Sequence, residues 1–158
     1  MIIVSDTSPI SSLLQIGQLE LLRHLYTTVT IPVEVNRELS VLPEQTSVLQ
    51  NLDWIVVAKA TKVELINTLR KQVDPGEAEA IALAIEMKAD ALIIDELRGR
   101  EVAREYGVKR VGVLGILVQA KAEGYLERVA PEINSLRAIG FRIHDRLVDH
   151  ILRVANEL

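Results

Sequence analysis

Two kinds of apolar run alternate along this chain. Short ones, "MIIVS", "TVTI", "WIVVA", "ALIID" and "RVGV", have strand length, and "MIIVS" and "ALIID" run apolar without in–out alternation. Between them lie stretches in which apolar residues return every three or four positions, as in a helix with one buried face. From 9 to 26, Ile10, Leu13 and Leu14, then Leu19, Leu21, Leu22 and Leu25, predict two helices divided at Gly17. "PVEVNREL" predicts another, with Pro32 suited to a first helical position. "LPEQTSVLQNL" reads as a short helix, and residues 61 to 72 as a further one capped by Thr61 or its neighbour. "DPG" stops that pattern. "GEAEAIALAIEMKA" follows, rich in strong helix formers. Then come "LRGREVAREYG" ended by Gly107, "LGILVQAKAEGYL", residues 131 to 139, and an amphipathic tail from His144 to Leu158.

Unalternating strands, each followed by a helix, predict a parallel sheet covered on both faces, hence an α/β fold. No repeat, low-complexity tract or linker interrupts the pattern, so residues 1–158 are expected to form a single domain, a length that suits one sizeable core.

Composition narrows the chemistry. Apolar residues make up 49% and aromatics only 3%, so Leu, Ile, Val and Ala must build the core, and recognition of bases by stacking is disfavoured. The absence of cysteine excludes thiolate catalysis, disulfides and cysteine zinc sites. No apolar run reaches the roughly 20 residues a membrane span needs. The start lacks a basic leader region, and a soluble cytoplasmic protein is expected. The formal charge is −4, from 18 Lys and Arg against 22 Asp and Glu, which argues against a nucleic-acid partner. Four acids gathered around a metal would leave 18 against 18 and weaken that objection.

In open parallel sheets, ligands sit beyond the carboxyl ends of the strands. Two of the predicted strands end on acids: Asp6, followed by Thr7 and Ser8, and Asp95, followed by Glu96, Arg98 and Arg100. Glu38 lies in the helix begun by Pro32, and Glu77 and Glu79 open the Ala-rich helix, too close in sequence to share a face. Each has an ordinary reading. Asp6 suits a helix N-cap, Glu38 a solvated helix surface, and Glu77 and Glu79 a first turn favoured by the helix dipole. Arg98, Arg100 and Arg104 suit an exposed helix face. The ordered set points elsewhere. Gathered carboxylates repel unless a cation compensates, and an all-oxygen set suits Mg²⁺ or Mn²⁺. Such a site supports phosphodiester hydrolysis, with Arg98 and Arg100 available to flanking phosphates. His24, His144 and His150 lack ligand spacing, the serines lack a nucleophile elbow, and neither dinucleotide nor Walker A signatures occur.

The stretches "DTSPI", "GEAEAIALA", "IIDELRGREVAREYG" and "VGVLGILVQAKAEGYL" occur in an order that resembles PIN-domain proteins, in particular a small prokaryotic branch. The resemblance runs from Met1 to about Phe141. It implies a three-layer α/β/α sandwich with a central parallel sheet and a metal-dependent ribonuclease site. The family's acids then fall on Asp6, Glu38, Glu77 (less well Glu79) and Asp95 with Glu96 as neighbour, holding Mg²⁺ or Mn²⁺. Thr7 and Ser8 supply the neighbouring hydroxyls, and these with Arg98 and Arg100 are the expected contacts to substrate phosphate. It further implies an RNA substrate, a role as toxin paired with a small antitoxin, and a homodimer. Two readings compete: a binding or regulatory module on the same fold with weak or no catalysis, and a haloacid-dehalogenase phosphatase. The latter wants an Asp where Ser8 stands.

Overall fold

The computed structural model describes residues 1–41 and 43–158. Leu42, which opens the expected "LPEQTSVLQNL" helix, lies outside the described residues. The strands are β1 (Ile3–Ser5), β2 (Val29–Pro32), β3 (Ile55–Ala58), β4 (Ala91–Ile93) and β5 (Arg110–Val111). The helices before β4 are α1 (Thr7–Gln15), α2 (Glu20–Tyr26), α3 (Val33–Leu39), α4 (Pro43–Leu49), α5 (Val63–Leu69) and α6 (Pro75–Glu86). After β4 come α7 (Leu97–Glu105), α8 (Val113–Ala122), α9 (Ala130–Ala138) and α10 (Asp145–Val154).

Every ladder is parallel, and the strand order is β3-β2-β1-β4-β5. The chain builds outward from β1 to β3, then returns to lay β4 on β1's other side. β1 and β4 therefore flank the point where the winding reverses, which is where open α/β sheets place their ligands. β1, β2 and β4 are buried along their length, as strands covered on both faces must be, with Ser5 and Thr30 as buried polar residues among them. One sheet face packs Ile3, Ile31 and Ile93 against Ile10 and Leu13 of α1, Leu22 of α2, Leu117 of α8 and Leu136 of α9. The other packs Val4, Leu92 and Ile94 against Ile81 and Leu83 of α6, Leu69 of α5 and Val102 of α7. The result is the expected three-layer α/β/α sandwich. Among the described residues no helix is long and apolar enough to cross a membrane.

Several boundaries differ from the sequence expectation, each for a local reason. Gly17 divides α1 from α2 as predicted, with a φ of +75° that suits glycine. Pro32 ends β2 and occupies the N-cap of α3 in extended conformation, one position earlier than predicted. "DPG" does more than end a helix: Asp74 caps α6, accepting from the Glu77 N–H at 2.8 Å, and Pro75 takes a first-turn position. Lys62, the neighbour of Thr61, holds the N-cap place of α5; Thr61 instead donates its N–H to Glu86 Oε1 at 3.1 Å. β5 stops at Val111, because Gly112 becomes the cap of α8 and draws Val113 into that helix. α10 ends at Val154, and Glu157 beyond it folds back onto the start of α9, where Val129 and Ala130 donate to it at 2.7 and 3.0 Å.

Candidate active site

Asp6 follows β1 and holds the N-cap position of α1, yet its carboxylate makes no capping hydrogen bond. It is 4% exposed, with its own N–H donated to Ile93 O of β4 at 2.9 Å. The carboxylate is buried in cap position without making that bond, and the adjacent Thr7 N–H is what favours its charged form. Asp95, two residues past β4, lies across the same switch point. Its Oδ1 accepts the Val113 N–H at 2.9 Å, which pins it to the start of α8. Its Oδ2 is buried and has no hydrogen-bond partner among the described residues.

The remaining acids arrive on helices. Glu38 of α3 accepts a short hydrogen bond from the Thr7 hydroxyl at the head of α1. Glu77, in the first turn of α6, is 6% exposed. Its neighbour Glu79 turns away: Oε1 accepts from the Glu34 N–H at 3.3 Å and ties α6 to the start of α3. That separation is what two positions two apart on one helix demand. The structure thus brings Asp6, Glu38, Glu77 and Asp95 to one end of the sheet and gives Glu79 a helix-tying contact.

Three glycines shape this end. A Cβ on Gly76 would sit 2.5 Å from Glu38 Oε1, one on Gly99 would sit 2.6 Å from Glu77 Oε2, and one on Gly112 would sit 2.7 Å from Asp95 Oδ1. Each acid rests against a backbone that has no side chain. Gly76 reads in the sequence only as part of the "DPG" stop, and nothing in the sequence around Gly99 or Gly112 marks either as the seat of an acid.

Electrostatics bind the group into one unit. Burial pushes the Asp6 carboxyl up to about 7; the adjacent Thr7 N–H opposes this, while Asp74, Glu38 and Asp95 push it further. Glu77 is raised to about 9 by burial, by its hydrogen bond with the Asp74 carboxyl, and by the charges of Asp74, Asp6 and Glu96. Glu38 is raised by burial and by Asp74 and Glu34, against the lowering effect of Thr7. Asp95 is raised by burial, against the Val113 N–H and the Arg100 charge. Asp74 recurs as a cause at Asp6, Glu38 and Glu77, so it belongs to the cluster that the sequence analysis assembled without it. The available signal was its place as an acid directly before a helix-opening proline.

A family model described as a PIN domain matches residues 2–157. The chain belongs to the PIN-domain family. Comparison with curated proteins and with solved structures returns no match. PIN domains are generally nucleases, and they usually use divalent metals. In this PIN domain the acids form an all-carboxylate set with one buried, unpartnered oxygen, which fits a hard oxygen-seeking cation. As the side chains stand, no three of them among the described residues converge into an ion-holding group.

The basic residues divide. Arg98 donates to Gln72 Oε1 at 2.9 Å and to Glu101 Oε2 at 3.3 Å, on the rim of an open bowl that also holds Asp74, Glu77 and Glu96. Arg100 donates to Ile94 O at 2.9 Å and lines a cavity of about 480 Å³ on the other side of Asp95. Arg110 and Arg142 line that cavity too, neither having been singled out in the sequence. Thr7 is half-buried against Glu38, whereas Ser8 is exposed.

Proposed function

We propose that this PIN domain is a metal-dependent endoribonuclease in which Asp6, Glu38, Glu77 and Asp95 hold Mg²⁺ or Mn²⁺. The observation that carries the reading is the switch-point cluster itself. Buried or half-buried carboxylates from four separate elements stand together with their protonation pushed upward, and glycines make room for them. Burial is the main cause of that push, with repulsion added at Asp6, Glu38 and Glu77, and a bound cation or protons relieve both. A divalent ion held there would polarise a phosphodiester and lower the pKa of a water nucleophile.

The chain's own residues do the rest. Thr7 orients Glu38 by its hydroxyl, and the Val113 N–H fixes which Asp95 oxygen is free to turn inward. In the absence of the ion, Glu77 keeps its proton against Asp74; it must release it when a cation takes that place. A carboxylate of the set serves as general base toward the attacking water. Arg100, with Arg110 and Arg142 beside it, offers guanidinium donors to phosphates flanking the scissile bond. Arg98, already bonded to Gln72 and Glu101, and the exposed Ser8 take lesser parts.

RNA as the substrate and a toxin role opposed by a small antitoxin rest on the family resemblance. Purified protein should cleave single-stranded RNA internally with Mn²⁺, stop on chelation, and lose activity in the Asp6→Asn variant. The acids' failure to converge as they stand favours one other reading, a binding module on the same fold. Calorimetry separates the two: Mn²⁺ bound by the native chain and lost in Asp6→Asn supports the nuclease. No metal binding and no cleavage of varied RNAs would leave the binding module.

A further inference from the structure

Two buried side-chain polar atoms lack a hydrogen-bond partner among the described residues, Asp95 Oδ2 and Arg110 Nε, and both belong to residues that line one cavity. This is the cavity of about 480 Å³ beside Asp95, within the roughly 300–1,000 Å³ usual for small-molecule sites. It lies along β5, the last strand of the sheet, with α7 packed on one sheet face and α8 and α10 on the other. Part of its lining is cationic. A Cβ on Gly112 would come within 2.7 Å of Asp95 Oδ1 and 3.0 Å of Arg100 Nη1, so one glycine seats both the acid and the guanidinium. Arg110 and Arg142 add two more guanidiniums, and none of the three forms an ion pair among the described residues. Arg110 Nη1 donates only a long bond to Val108 O at 3.5 Å. A buried N–H without an acceptor is costly, and guanidinium forks with free donors suit a phosphate. The rest of the lining is apolar: Leu114, Phe141, and Leu147 with Ile151, which share one stripe of α10. Phe141 is the chain's single phenylalanine, no residue of α10 is buried, and Leu147 is 41% exposed.

We propose that this cavity is a nucleotide subsite: it takes one nucleotide of the RNA, holds the phosphate with Arg100, Arg110 and Arg142, and lays the base against Phe141, Leu147 and Ile151. It thereby sets which base the chain accepts beside the cut. Charge and apolar surface meet here in the proportion a nucleotide carries, one anionic group and one flat, weakly polar ring. A base has polar edges as well, and β5 can meet them. Lys109 O and Val111 O accept from the Leu92 and Ile94 amides at 2.8 and 3.0 Å, so Arg110 between them turns its own N–H and C=O off the sheet edge along which the cavity lies. A donor and an acceptor side by side are what the hydrogen-bonding edge of a base requires. With the cationic side seated against Asp95, the phosphate comes next to the acids and the base lies away from them. That the nucleotide belongs to RNA and stands beside a cut rests on the nuclease proposed above; the fit of the cavity to a nucleotide does not.

Binding can be read apart from cleavage. In chelator, adenosine, guanosine, cytidine and uridine monophosphates are titrated into the isotope-labelled chain and followed by amide chemical shifts, with ribose phosphate as the probe that lacks a base. Shifts should move at Gly112, Gly115 and Phe141, and at least one nucleotide should bind about tenfold more tightly than ribose phosphate, through the apolar surface the base buries. Leu147→Gln should shrink that gain about threefold and leave ribose phosphate unchanged, whereas Arg142→Ala should weaken every probe about tenfold. Circular dichroism on both variants confirms that folding is intact. Equal affinity for nucleotides and ribose phosphate would leave an anion site only and overturn the proposal, as would shifts confined to the acid cleft, a gain indifferent to Leu147→Gln, or no binding at all. Cleavage of a random-sequence RNA pool with Mn²⁺ is scored separately. A chain that cuts RNA but binds no mononucleotide loses the subsite and keeps the nuclease; one that binds nucleotides here and cuts nothing keeps the subsite's ligand and loses the nuclease. In a chain that does both, the base beside the cut should be restricted and should relax in Leu147→Gln, and a random base there would overturn the proposal.

Discussion

Gly76→Ala should separate stability from function in this protein. Gly76 lies in the first turn of α6 with ordinary helical backbone, so alanine is conformationally welcome and gains up to about 1 kcal/mol of helix propensity. The new Cβ would fall 2.5 and 2.7 Å from the two Glu38 carboxylate oxygens. Ordinary contact begins near 3.4 Å, so that carboxylate must retreat by about 0.9 Å. It can do so, being the end of a flexible, half-buried side chain, at the expense of its hydrogen bond from Thr7. Gain and loss offset to within about 1 kcal/mol, which for a chain of this length moves Tm by only about 2–4 °C. Displacing a reacting or ligating group by about 1 Å typically costs on the order of 100-fold in rate. Thermal unfolding and RNA cleavage with Mn²⁺ should be measured on Gly76→Ala, Glu38→Gln and the double variant. A stable Gly76→Ala with a roughly 100-fold loss, and no further loss in the Glu38→Gln background, is the expected pattern. Full activity in Gly76→Ala, or an additional loss when Glu38 is already gone, would refute the idea that this glycine exists to seat that carboxylate.

Asp6 and Glu77 are raised to about 7 and about 9, so the folded chain holds protons that the unfolded chain releases. Without divalent ions, stability is therefore greatest near pH 4 and falls through about pH 9, and Asp6→Asn removes part of that slope. Melting curves in chelator should show Tm declining with pH, and Mn²⁺ should raise Tm most at the alkaline end; a flat profile would contradict the coupling. Glu157 has the opposite sign. Burial opposes its ionisation, but the Val129 and Ala130 amides and Lys121 overcome this and hold it at about 2. Its contribution is complete above about pH 4.5 and is lost as pH falls toward 2, and Glu157→Gln should cost roughly 2 kcal/mol at neutral pH by denaturant unfolding. Arg142→Ala, in the cavity beside Asp95, should weaken RNA binding and lower the salt slope by about 1, with little change in Tm.

The sequence by itself determined the layers. Unbroken apolar runs such as "IIV" and "ALII" have no polar face to offer water, so they had to become strands covered on both sides, and the helical spacings supplied the cover. It also determined that Asp6 and Asp95 would stand at strand ends, since each directly follows such a run. What it left open was which acids meet. Glu77 and Glu79 are equal as first-turn residues; only the packing of α6 between β1, β4 and α3 turns one into the cleft and the other onto the Glu34 amide. Asp74 read as punctuation until its neighbours were placed, because a cap and a cluster member have the same local signature. The glycine seats were invisible for a similar reason: a missing Cβ matters only when another element arrives within 3 Å of it. Strand and helix identity are fixed by short-range periodicity. The pairing of Gly76 with Glu38, Gly99 with Glu77 and Gly112 with Asp95 joins residues from separate elements, and only the tertiary structure decides such contacts.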